Sequence, residues 1–195
     1  MLGTSLFTKI LADFLFGLYF LNSLLNHATN LIQNRCTQFE KMQKTDEYIA
    51  KRLKWKAGKH NLPTENSFLF DGLPTENQNH YSEFFKNLNI GIPVLLYTHP
   101  KNDKWTMIGT RKIVWGEYDE FESLPISEIK EMRPKSLMEI SKTGKATKEQ
   151  VKKSEWDELT ITNLNSEQFI IQAFKGSDFF SMWNILLLNR QLNRE

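Results

Sequence analysis

The chain has 195 residues, 40% hydrophobic and 12% aromatic, with a formal net charge of +2. Its 14 Phe and 5 Trp supply enough large apolar surface for a packed core, which excludes wholesale disorder. The near-neutral balance gives no global case for a nucleic-acid partner, and the single cysteine, Cys36, excludes an intrachain disulfide and fits a reducing, cytoplasmic setting.

Residues 10–25, ILADFLFGLYFLNSLL, form the first marked segment. A spanning helix needs about 20 apolar residues, and this run is shorter and carries Asp13 and Asn22. A signal peptide needs a basic start and a small-residue cleavage site, but only Lys9 precedes the run and no A-x-A pattern follows it. Lys9, Asp13, Asn22, Asn26, Asn30 and Gln33 recur mostly at helical steps, so the pattern favours an amphipathic helix. Its apolar face needs a cover: the rest of the chain, a second copy, or lipid contacted through residues 5–32. Residues 31–60 carry a local charge of +5, which beside an apolar segment suits an anionic membrane surface. A composition break near residue 40, followed by Met42, places the start of the functional unit there and makes residues 1–41 a dispensable or membrane-associated extension.

Residues 45–56 are expected to form a second helix, which completes an N-terminal helical extension over residues 1–56. Residues 57–90 read as a linker pinned by Phe68 and Phe70, with LPTEN at 62–66 and again at 73–77, and a short helix over 79–88. Two copies are too few for a repeat architecture. From residue 91 the texture is β: a strand over 92–99, a PKND turn, one long strand across KWTMIGTRKIVWG (104–116), a polar GEYDE turn, and a strand from 121 that ends in a turn near 132. In strand parity Trp105, Met107, Ile113 and Trp115 share one face, which leaves Arg111 on the apolar side unless Gly109 resets the register. SLMEISK (136–142) is expected as a further strand and 142–155 as a charged loop. Residues 156–174 give a hairpin turning at NLNS, with Phe169, Ile171 and Ala173 on one face. A final helix spans 177–193, capped by Ser177 or Asp178. Phe179, Met182, Trp183, Leu186 and Leu187 form its apolar face, opposite a stripe of Ser181, Asn184 and Gln191, with Arg190 and Arg194 near its end.

GTRKIVWG, then SLPISEIKEM with Pro125, Ile126, Glu128 and Ile129, then a hairpin and a closing amphipathic helix resemble the bacterial PH and GRAM branch of pleckstrin-homology-like domains over residues 91–193. The resemblance implies an α+β fold: a bent β-barrel or sandwich capped by the C-terminal helix. It also implies a non-catalytic binding module for a protein partner or an anionic membrane, in which basic residues of the first hairpin hold phosphates. The matching residues here are Lys101, Lys104, Arg111 and Lys112.

Motifs for chemistry are missing. Gly144-Lys145 lacks the rest of a phosphate loop, no G-x-S-x-G occurs, and His27, His60, His80 and His99 are scattered, so no cofactor or metal is expected. Two other classes stay open: an immunity-type inhibitor that neutralises a toxin, and a small hydrolase using His99 with Asp103 or other carboxylates. Glu117, Asp119, Glu120 and Glu122 read as a solvated acidic hairpin tip. Self-association through the N-terminal helix is a further expectation, and nucleic acid is not expected.

Overall fold

A computed structural model describes residues 44–100, 103–145, 147 and 152–194, all within the second of two compact units, Lys44–Glu195. The expected helix over 10–25, the Met42 boundary and Cys36 lie outside the described residues, as does Lys101.

Helix α1 (Asp46–Lys59) starts where Thr45 Oγ1 accepts from the Tyr48 amide. Asp46 and Glu47 in its first turn and Lys56 and Lys59 in its last suit the helix dipole. Ile49, Ala50, Leu53 and Ala57 give it one buried face. The chain then passes a cis Leu62–Pro63 bond into strand β1 (Ser67–Leu69). The two LPTEN copies diverge: the first makes a turn, whereas the second opens helix α2 (Thr75–Phe85) behind Pro74.

KWTMIGTRKIVWG is not one bent strand. It is a hairpin, β3 (Lys104–Gly109) and β4 (Lys112–Glu117), with Ile108 paired to Ile113. With β2 (Pro93–Thr98) before it and β5 (Glu120–Pro125) after it, the hairpin completes a five-stranded antiparallel sheet ordered β1-β2-β3-β4-β5. A second antiparallel sheet holds β6 (Ile129–Pro134), β7 (Glu158–Asn163) and β8 (Gln168–Gln172) in that order. The barrel is therefore not closed; two separate sheets stand in its place.

SLMEISK is helical, not extended: α3 (Lys135–Thr143) follows Pro134 and ends at Gly144 with φ 64. The segment has no period-2 alternation, and proline before it with a left-handed glycine after it are helix signals. Helix α4 (Ser177–Arg194) closes the fold.

The hairpin corrects the strand parity. Trp105, Met107 and Val114 lie on the outer face and pack with Leu96, Phe85 and Ile90, against which Tyr81 and Phe84 of α2 rest. Ile108, Ile113 and Leu124 lie on the inner face and join the main core with Leu159, Ile161, Ile171 and the buried residues of α1 and α4. On α4, Phe179, Met182 and Leu186 are buried as expected; Ser181 and Ile185 are buried too, while Trp183 and Leu187 are half-buried. Ser181 tolerates burial because its hydroxyl meets that of Tyr97 at 3.1 Å.

Candidate functional site

Among the described residues of the expected basic cluster, Lys104 stands apart from Arg111 and Lys112. Lys104 begins β3 opposite Glu117, Arg111 lies in the turn at the other end of the same hairpin, and Lys112 starts β4 opposite Pro125. Arg111 points at α1: Nη2 lies 2.6 Å from Asp46 Oδ2 and Nε donates to Asp46 Oδ1 at 3.1 Å. Nη1 donates to Asn89 Oδ1 at 3.3 Å. Burial pushes the Asp46 carboxyl up, but the hydrogen bonds from Arg111 and Thr110 outweigh it and hold the group below its ordinary value.

His99 does not lead to Asp103. Its Nε2 is 3.9 Å from Asp157 Oδ2 and its ring meets Phe174 edge-on, while Asp103 takes a hydrogen bond from Tyr118. Burial, reinforced by the charge of Glu158, raises the Asp157 carboxyl above its usual value. Among the described residues, no three His, Cys, Asp or Glu side chains cluster closely enough to hold a metal ion.

A different site is present. A cleft of about 510 Å³ opens between β3–β5 on one side and β7–β8 on the other. Strand alternation constructs its first wall. Thr106 pairs with Trp115 and Trp115 with Glu122, while Lys104 pairs with Glu117 and Glu117 with Glu120. All of these therefore share the inner face of Ile108, Ile113 and Leu124. Along that face the surface runs from buried aliphatic residues, through Trp115, to charged residues at the mouth. Trp115 is held in place by an edge-on contact with Phe169 at 5.6 Å.

The second wall is Glu158, Ile170 and Gln172. Thr106 Oγ1 donates to the Gln172 carbonyl at 2.8 Å, which joins the two sheets at the cleft. Glu158 is occupied by Lys135 Nζ at 2.6 Å and Gln172 Nε2 at 2.7 Å. Burial raises the Glu158 carboxyl, yet these two donors bring it below its ordinary value. In contrast, Glu117, Glu120 and Glu122 make no ion pair with any described residue. The mouth is acidic, with Ile170 at 44% and Phe121 at 37% exposure beside it.

The acidic group was visible in the sequence as a hairpin tip, but only Tyr118 and Asp119 occupy the turn; Glu117, Glu120 and Glu122 stand on strands. The part played by Glu158, Ile170 and Gln172 carried no local signal, because tertiary packing alone brings β8 to this face.

Comparison with protein-family models, with curated proteins and with solved structures returns no match. Fold and site define a mixed helix-and-sheet protein of two antiparallel sheets and a C-terminal helix, with an acidic, aromatic-floored cleft between the sheets. Among the described residues, no helix is long and apolar enough to cross a membrane.

Proposed function

We propose that this chain is a non-catalytic binding module of pleckstrin-homology-like architecture that takes an extended, basic segment of a protein partner in the cleft. The strand order supports the architecture: an antiparallel meander β2–β5, a three-stranded meander β6–β8, then the closing helix α4. Elements α1, β1 and α2 are additions to that pattern.

The observation that carries the ligand class is the cluster of Glu117, Glu120 and Glu122 at the mouth, unpaired among the described residues, over the Trp115 floor. Glu117 stands directly opposite Glu120, and like charges so placed repel and cost stability unless cations neutralise them; Lys104 at the same mouth is one cation against three carboxylates. Lys and Arg side chains do so while laying apolar stems on aromatic surface. β5 is also an outermost strand of its sheet, so its outward backbone groups are open to an added strand. An anionic ligand at this cleft would meet the wrong sign of charge.

The immunity-type reading uses the same surface, since an acidic face suits a toxin with a basic active region; co-purification with the product of a neighbouring gene separates it from a general peptide reader. The direct test is selection from a displayed random decapeptide library. Enrichment of Lys/Arg-rich peptides with interleaved apolar residues supports the reading, and enrichment of acidic sequences rejects it.

A further inference from the structure

The outward face of α1 carries aromatic and basic residues at one helical spacing. Tyr48, Lys51, Arg52, Trp55 and Lys59 follow steps of three and four residues and form a single stripe. Tyr48 is 46% and Trp55 51% exposed. The guanidinium of Arg52 lies 4.9 Å and the ammonium of Lys59 5.8 Å from the Trp55 ring centroid. A shallow groove of about 240 Å³ separates Trp55 and Lys56 from Leu187 and Leu188 of α4.

From this geometry we infer that the α1 stripe is the surface through which the protein meets an anionic membrane. Indole and phenol rings settle at the headgroup level, where one end can be apolar and the other wet. Basic residues beside them gain roughly 1 kcal/mol each near an anionic surface, about fivefold in partition per charge. The sign is selective: Glu47 is the exposed carboxylate near the stripe, whereas Asp71 is held by Lys54 at 2.7 Å on another flank. The apolar run of residues 10–25 lies upstream of α1 in the sequence, so a membrane contact at α1 is compatible with lipid contact by that run. This surface involves none of the cleft residues and stands or falls separately from the peptide reading.

The test is co-sedimentation of the full chain with vesicles of phosphatidylcholine alone and with 30% phosphatidylglycerol (a probe composition on the order needed to set an anionic surface potential). The measured quantity is the increase in partition caused by phosphatidylglycerol, which removes any charge-independent binding by other segments. Wild type is expected to show an increase of tenfold or more that falls with added salt. Lys51→Glu with Lys59→Glu should abolish it, and Trp55→Ala should lower partition onto both kinds of vesicle. These side chains lie on the exposed side of α1, so circular dichroism should stay unchanged. Absence of the increase in wild type, its survival in the Lys51→Glu, Lys59→Glu variant, or unchanged partition of Trp55→Ala overturns the inference.

Discussion

Asp46 on the first turn of α1 receives both Arg111 and Thr110 from the β3–β4 turn, with Thr110 Oγ1 donating at 2.7 Å to the same oxygen that accepts Arg111 Nε. The turn is a hub. Asn189 Nδ2 donates to the Gly109 carbonyl at 2.9 Å and Asn193 Nδ2 to the Thr110 carbonyl at 3.0 Å. The Arg111 amide donates to the Ile90 carbonyl, and the Ile126 amide to the Arg111 carbonyl. The Arg111 charge therefore anchors α1 to the sheet, and the α4 asparagines fix the same turn.

Asp46→Ala should cost about 1.5 kcal/mol in urea unfolding, since it strips a charged acceptor from Thr110 and Arg111. The pH dependence has a definite sign. A carboxyl held below its ordinary value stabilises above its unfolded pKa of about 4, and that stability is lost as pH falls through the folded value. Wild type should thus lose stability below about pH 4 more steeply than Asp46→Asn. Equal slopes would remove the pair from the account.

Gly109→Ala should destabilise by about 3 kcal/mol, at the upper end of the overpacking range. A Cβ at Gly109 would stand 2.5 Å from the Ile90 carbonyl oxygen, a backbone atom already fixed by the Arg111 amide. Neighbouring Gly91 has φ +74 and faces Thr110, so the segment cannot shift to make room. A melting temperature within a degree or two of wild type would show that the contact yields.

The expected strand across residues 104–116 failed here for a physical reason. β-Branched Ile108, Thr110, Ile113 and Val114 all favour extended backbone, and no Asn-Gly or Pro marks the reversal. The turn is held instead by long-range partners, Asp46, Asn189 and Asn193, which local pattern cannot show. The C-terminal hairpin was readable because its alternation is local: Leu159 pairs with Ile171 and Ile161 with Phe169. SLMEISK misled because so short a segment, with Leu137, Met138 and Ile140 as its apolar residues, does not distinguish strand from helix. The cleft was legible by half, in its acidic strand residues, and the opposing wall depends on packing alone.

Asp178→Ala should cost about 2–3 kcal/mol, a loss that Asp178→Asn largely avoids. The carboxylate is buried at 3% exposure in the first turn of α4 and accepts from Thr64 Oγ1 at 2.8 Å and Ser67 Oγ at 3.1 Å. It ties the first LPTEN copy and β1 to the closing helix. Alanine leaves the buried Ser67 hydroxyl and the half-buried Thr64 hydroxyl without their shared acceptor, whereas asparagine keeps one oxygen in place. Equal losses in guanidinium unfolding would assign the effect to charge instead.

The claim that the cleft reads a basic segment is tested most directly by titrating a selected Lys/Arg-rich peptide into wild type and two variants, with the Trp115 indole resonance as the reporter. The account predicts that this resonance shifts on binding, that Glu120→Lys with Glu122→Lys weakens binding at least tenfold, and that Lys112→Ala leaves affinity unchanged. Undiminished binding by the charge-reversed cleft, or a loss confined to Lys112→Ala, would contradict it.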